Sequence, residues 1–545
     1  MSKRSHHKRS KDKMAARPAA KTHALAEASS PPAIAEETRA ETPGSTARWV
    51  HAAVVALLVG LCASLYVWTA DFPMAFDDHT YLKDNPFFRD SSNFDYLKDF
   101  NEFATRPAKI GTDPDYAVNA ILRPVAYLSF YLNYHWDDFN PHWFRLVNVG
   151  IHALNAILIY ALVNVLLRRS TLGGQLQRGS VLFISATAAL MFAETQWARW
   201  LLRAGSVLAV LMAMQTKEDA FVVPALAVLL DWLVIGTRLR PAALRALPLL
   251  ICMPLIPVLV FLTASAQSGA YDLHAAVNIV NSRDAPLNHW HYIVTELTVV
   301  THYLRQMFWP KGMNLDPDWP IYDSLFQGPV LLALAVLGGL VGSVWALARR
   351  FRGDVRFAFG LACVVWFLMS ISVSSGLVPL PDLVAEHRSY LPSIGIFILV
   401  ACLLDWLRSR DLRFAVLRVG VPVLSLLCVG ALSWKTCIRN NVWRTRESLW
   451  EDTVAKSPGK YRTWGNLGAA YSDSGKNEKA VHCFREALKV EPRFQNGLLN
   501  LSNSLLKLNR PKEALDTTLQ LIQLNKDATT KPPVAFTLGL SLAGV

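Results

Sequence analysis

Apolar residues in this chain come in long runs, not in strict alternation. Between residues 49 and 434 stretches rich in Leu, Val, Ala, Ile, Phe and Trp recur, each near the roughly 20 residues that a helix rising about 1.5 Å per residue needs to cross a bilayer core. The first runs are Trp49 to Trp68 and Phe144 to Leu167. Further spans are predicted near 181 to 195, 200 to 216, 220 to 236, 243 to 265, 291 to 309, 329 to 348, 355 to 377, 389 to 407 and 415 to 434, which makes eleven candidates. Residues 1 to 48 show no apolar periodicity and are read as a disordered basic cytoplasmic tail. A linker helix is expected over 435 to 460, and from 461 to 545 the composition turns soluble. The fold class expected is all-α: a polytopic membrane domain of about 9 to 11 spans over 49 to 434, followed by a helical solenoid.

Composition supports this layout. Charged residues make up 18% of the chain and hydrophobic ones 52%, against about a quarter charged in soluble proteins, which excludes an ordinary soluble enzyme. The net charge of +13 does not point to nucleic acid, because the bases sit in the tail and in short clusters between apolar runs and form no continuous face. They read as topology signals instead. Lys3, Arg4, Lys8, Arg9, Lys11 and Lys13 place the N-terminus in the cytoplasm, with 49 to 68 as an uncleaved first span. Residues 71 to 142 hold twelve acids against six bases and belong on the outer face. Arg349, Arg350 and Arg352 mark one inner loop and Arg408, Arg410 and Arg413 another, so the segment after 434 emerges outside. Strict alternation would put Arg238, Arg240 and Arg245 outside, so two segments between 181 and 309 are expected to be interfacial or re-entrant. The seven cysteines include no pair at zinc-ligand spacing, and structural roles are expected for them.

An internal period of 34 residues starts at 461. Trp464, Leu467, Gly468, Tyr471, Ala480, Phe484, Ala487 and Pro492 occupy the large and small positions of a tetratricopeptide repeat, with Gly and Ala where the two helices cross closely. Leu498, Leu501, Ser502, Leu505 and Ala514 form a second, weaker copy, and 533 to 545 resembles the first helix of a third. An array this short must lean on the membrane domain or on a partner.

Candidate chemistry gathers at the outer face. Asp77 and Asp78 in the first outer loop could supply a general base for an acceptor hydroxyl, with the second carboxylate positioning the base or holding a divalent cation. A solvated acidic turn or a helix cap is the plainer reading of such a pair. Arg388, with His387, lies where a span meets the outer face. It is either a bidentate phosphate ligand or a positioning residue paired with Glu386. Arg123 is a second phosphate candidate or the charged rim of an amphipathic helix. Lys217 and Glu218 interrupt apolar sequence and either serve the substrate or pair at a membrane boundary. Asn148 and His152 share a helix face with His142 nearby, either lining a donor cavity or bonding between spans. Trp309 to Trp319 reads as an interfacial aromatic belt.

Several motifs occur in a telling order: the Asp77–Asp78 loop, Arg123–Pro124–Val125, the Glu386–His387–Arg388–Ser389–Tyr390–Leu391–Pro392–Ser393 stretch, and Asn441–Val442–Trp443 leading into the repeats. Together they resemble the transmembrane and tetratricopeptide repeat-containing O-mannosyltransferases and their bacterial relatives, over about 49 to 528. The resemblance implies a GT-C class membrane glycosyltransferase with a polyprenyl-phosphate sugar as donor and a catalytic carboxylate in the first outer loop. On the reading drawn from the residues, the repeats help to present the acceptor protein, and the candidate cofactor is a divalent cation at Asp77 and Asp78. Between Arg203 and Lys217 the chain has 13 residues where the family pattern has a longer stretch with another span. A non-catalytic repeat scaffold for envelope assembly and a lipid-linked sugar flippase are the alternatives. A scaffold would need no acidic loop, and a flippase would need no acceptor base.

Overall fold

The structure is a computed structural model and describes residues 45–74, 123–169, 196–215, 218–236, 238–255, 257–258, 288–351, 355–373, 375, 382–408, 415–525 and 532–544. Regular structure among the described residues is helical throughout. The membrane part comprises α1 (Ser45–Tyr66), α2 (Pro124–Asp137), α3 (Pro141–Arg169), α4 (Gln196–Met214), α5 (Val223–Leu233), α6 (Leu239–Leu250), α7 (His289–Phe308), α8 (Gly328–Arg350), α9 (Val355–Ser372), α10 (Tyr390–Arg408) and α11 (Ala415–Val442). Then α12 (Arg446–Lys456) leads to the repeat helices α13 (Tyr461–Asp473), α14 (Asn477–Val490), α15 (Gln495–Lys507), α16 (Pro511–Leu524) and α17 (Pro532–Gly544).

Five helical segments among the described residues are long and apolar enough to cross a membrane: Trp49–Thr69, Pro141–Asn164, Gly328–Arg350, Glu386–Leu407 and Val419–Val442. They coincide with five of the eleven expected runs. Helix α7 differs for a visible reason. Helix α7 carries His289, His291, Glu296, His302 and Arg305 and buries Tyr292, Thr295, Glu296, Val299, Tyr303 and Met307, a stripe at helical spacing that faces protein. Helix α9, of 18 residues, is apolar, and α6 carries Pro248 inside it; the expected runs 355 to 377 and 243 to 265 extend beyond the described residues. The expected run 181 to 195 lies outside the described residues.

A glycine sets a close crossing between α9 and α10. On Gly395 of α10 a Cβ would stand 2.4 Å from the Cys363 carbonyl oxygen of α9, so only hydrogen fits there. Trp366 Nε1 fastens the same pair by donating to Leu391 O at 3.0 Å. The end of α1 and the connection from α2 are both rooted at the start of α3. Arg145 donates to Phe72 O at 3.1 Å and Pro73 O at 2.7 Å, and the Phe130 and Phe139 rings pack near Phe144.

In the repeats the 34-residue period is expressed as geometry. Gly475 and Asn509, one period apart, both take the left-handed conformation, with φ of 75° and 57°. Each is followed by the same reaching-back bond, Lys476 N to Tyr471 O at 2.8 Å and Arg510 N to Leu505 O at 3.0 Å, which closes the first helix of each unit. The crossing within each unit is solved differently. A Cβ on Gly468 would lie 2.7 Å from Phe484, so the Phe484 ring fills the space that glycine leaves. At the equivalent positions of the second unit the buried Ser502 and Thr518 hydroxyls hydrogen-bond at 2.7 Å. Helix α17 docks as a third first helix, with Val534 packed against Leu498 and Leu521.

Candidate functional site

Where α1, α7 and α10 converge with the segment after α7, a groove of about 440 Å³ opens, lined by Tyr66, Gln306, Met307, Met313, Glu386, His387, Ser389, Tyr390, Ser393 and Phe397. Its lining is mostly apolar, with Glu386, His387 and two serines among the polar groups. The turn Glu386–Ser389 is a 3-10 helix running into α10, and Ser389 caps it by donating to Glu386 O at 2.7 Å. Tyr390 lies with its hydroxyl 3.1 Å from His152 Nδ1 on α3, and the His152 ring meets Tyr66 edge-on with centroids 5.4 Å apart. Asn440 Nδ2 of α11 donates to Leu65 O at 3.0 Å, which holds the end of α1 at the groove.

The segment that leads into the repeats is linked to this groove through Asn314 and Arg439. Glu386 Oε1 accepts the Asn314 backbone N–H at 2.7 Å, and Glu386 Oε2 faces Arg439 Nη2 of α11 at 3.9 Å. Arg439 in turn binds Asp452 of α12 at 2.8 Å, and Lys456 binds the same carboxylate at 2.6 Å. Lys460 pairs with Asp316 at 2.5 Å and Arg462 with Asp382 at 2.9 Å. Burial works against the Arg462 charge, yet Asp382 and Asp316 together hold its pKa above the ordinary arginine value. The Leu315 side chain packs on the buried cluster around Trp450, Leu467 and Phe484. The short array therefore leans on the membrane domain, as its length requires.

Among the expected site residues, Glu386 and His387 line the groove. Arg388 does not. It is 9% exposed, donates to Leu383 O at 3.4 Å, and lies within Coulombic reach of the buried Glu296 and Tyr303. The expected Glu386–Arg388 pair is replaced by Glu386 with Asn314 and Arg439, because Arg388 turns into the core while its neighbours face the groove. Arg123 forms the N-cap of α2, ahead of Pro124. Glu218 opens the 3-10 turn Glu218–Val222, and Lys217, Asp77 and Asp78 lie outside the described residues. His142 pairs with Asp71 at 2.7 Å and His152 bonds between helices, whereas Asn148 is exposed. The aromatic stretch splits. Trp309 is exposed, but Trp319 donates to Thr298 Oγ1 at 3.0 Å and lies against His302. No group of three or more metal-ligating side chains occurs among the described residues.

The tetratricopeptide repeat family profile matches residues 461–494. Protein O-mannosyl-transferase TMTC3 of Mus musculus is 23% identical over 525 residues, 84% of this chain and 53% of that protein. Protein O-mannosyl-transferase F38B6.6 of Caenorhabditis elegans is 23% identical over 403 residues, covering 68% of this chain and 54% of its own. The TMTC1 protein of Mus musculus is 25% identical over 255 residues, 45% of this chain and 27% of its own length. The chain is a relative of these proteins. It spans about half the length, or less, of the relatives it matches.

Sequence reasoning missed Arg439, Asp452 and Ser457, which join groove to repeats. The first two are single charges near a helix end, and Ser457 is one serine before a proline. Only the placement of Glu386 and Asn314 gives them meaning.

Proposed function

We propose that this chain is a GT-C class membrane glycosyltransferase that moves a sugar from a polyprenyl-phosphate donor to a hydroxyl of an exported protein. The observation that carries the reading is the similarity to protein O-mannosyl-transferases running through both the membrane helices and the repeats, over 84% of the chain. The groove is compatible with such a donor: Met307, Met313 and Phe397 suit a prenyl chain, and His387 with the two serines suits a phosphate. A prenyl phosphate is a good leaving group, so the chemistry asks for a base at the acceptor hydroxyl and positive charge at the departing phosphate. Asp77 or Asp78 serves as that base, and a divalent cation held there would neutralise phosphate charge. Arg123, Lys217 and Glu218 complete the set of candidate donor contacts, while Arg388, turned into the core beside Glu296, acts on the site only through its neighbours Glu386 and His387. The N-terminus is cytoplasmic and the repeats lie on the outer face, where they present the acceptor.

The test is transfer of labelled mannose from polyprenyl-phosphate mannose to protein by the purified chain in lipid discs. Asp77→Asn with Asp78→Asn keeps shape and removes basicity, so turnover falls by about 100-fold or more with donor affinity nearly unchanged. Full transfer by the folded, inserted double variant would sink the assignment. A reporter fused after Lys456 that is active only in the cytoplasm would overturn the orientation.

A further inference from the structure

The segment from Met313 to Asp318, which connects α7 to α8, is held from two sides. On the membrane side Glu386 accepts the Asn314 N–H. On the repeat side Lys456 Nζ donates to Met313 O at 2.8 Å, and one hydroxyl, Ser457 Oγ, accepts both Asn314 Nδ2 at 2.7 Å and the Asp318 N–H at 2.9 Å. Asn314 and Ser457 are 4% and 1% exposed, so these bonds are shielded from competing water. The chain just past the serine is equally close, since a Cβ on Gly459 would lie 2.7 Å from Asp318 Oδ2. Met313 and Glu386 are themselves walls of the groove. One groove wall is therefore fastened by residues that open the repeat array, and Arg439 joins the two fastenings, Glu386 on one side and Asp452 on the other.

We infer that Ser457, Arg439 and Asp452 are positioning residues that set the Met313–Glu386 wall of the groove from the repeat side. The seating of the first repeat thereby fixes the shape of the proposed donor site. The inference rests on the reading of the groove as a donor site for its functional half only; the clamp itself is a statement about the wall. The residues do not touch the groove and take no part in the chemistry. Their effect is on how the donor is held, so it falls on donor affinity before it falls on turnover of bound donor.

The experiment uses the full chain in lipid discs, with undecaprenyl monophosphate as the probe and two readouts: amide exchange of residues 309–318 and probe affinity. Ser457→Ala and Arg439→Ala should each quicken exchange at Asn314 and Asp318 by about 10-fold, the scale of one or two lost buried hydrogen bonds. Probe affinity should weaken in parallel, Arg439→Lys should restore part of both, and Arg485→Ala, in an ion pair on the outer side of the repeats, should leave both unchanged. Unaltered exchange in Ser457→Ala and Arg439→Ala overturns the clamp. Quickened exchange with unchanged probe affinity leaves the clamp on the wall standing but overturns its inferred control of the donor site. If the unsubstituted chain binds no probe, the donor reading fails, and the exchange result alone decides whether the clamp stands.

Discussion

The two repeat crossings make one sharp prediction about how this array is packed. In the first unit Phe484 fills the space left by Gly468, whereas in the second the equivalent Ser502 and Thr518 are hydrogen-bonded and buried. Thr518→Phe alone drives a ring against the serine and should cost about 1–3 kcal/mol by overpacking. Ser502→Gly alone loses the 2.7 Å bond to Thr518 and its bond to Ala514 O, and adds the backbone entropy of a helical glycine, for a total of about 1.5–2.5 kcal/mol. The double substitution rebuilds the Gly–Phe solution of the first unit, so the ring should occupy the vacated space and the pair should couple favourably by about 2 kcal/mol. Thr518 Oγ1 also lies 2.9 Å from Ala514 O, so the two hydroxyl protons are shared among three close contacts; the Thr518–Ala514 contact is given up by the phenylalanine in the single and the double alike and cancels from the coupling. Amide exchange of α15 and α16 in the full chain reports the local opening free energies of all four proteins. Costs that add to within about 0.5 kcal/mol would show that the two crossings are not interchangeable and refute the reasoning.

Gly395→Ala sets a methyl 2.4 Å from a backbone oxygen that cannot move as a side chain could, so α9 and α10 must part. The folded, monodisperse fraction on size exclusion should drop sharply, and an unchanged profile would contradict the close crossing. At the left-handed turns Asn509→Gly should stabilise the second unit slightly and Gly475→Ala destabilise the first by about 1–2 kcal/mol; exchange protection in α15 and α13 checks both, and equal effects would be inconsistent with the positive φ values. The hydrogen bond from Lys476, then that from Ser474, holds the Glu447 pKa below its ordinary 4.5. Because the folded value is the lower one, this contribution is present above 4.5 and is lost as pH falls through the folded value. The stability gap between the chain and Glu447→Gln, read by exchange in α12 and α14, should therefore close on acidification; a gap that stays constant would remove the pair from the account.

How much could be read in advance follows from which forces are local. The repeats were legible because size alternation at a fixed period is a local pattern, and Gly468 with Phe484 states its own packing partner. The long membrane helices were legible for the same reason, since a run of apolar residues needs no knowledge of its neighbours. Helix α7 was harder. Its polar residues face protein, so its role depends on what surrounds it and not on hydropathy. The partner of Glu386 was not legible at all. Arg388 is two residues away and was the natural choice, whereas Arg439 is 53 positions on and meets Glu386 only through tertiary packing. The same holds for Ser457, whose hydroxyl serves Asn314 and Asp318 more than 130 residues earlier in the chain.

Helix α11 runs unbroken for 28 residues, about 42 Å, against a hydrocarbon core of about 30 Å. It passes into α12 through a tight corner, where Trp443 N–H bonds Asn440 O at 3.0 Å and Ser448 Oγ donates to Val442 O at 2.9 Å. Nothing at that corner acts as a free joint, so any tilt of the helix is passed on to the repeats. A thinner or thicker bilayer changes the tilt of a span of fixed length, and a contact that such a tilt would strain is the long, 3.9 Å approach of Arg439 to Glu386 near the α12 end of the helix. The lipid around this protein is in that sense a setting screw on the groove, and acyl-chain length becomes a variable of the groove's shape.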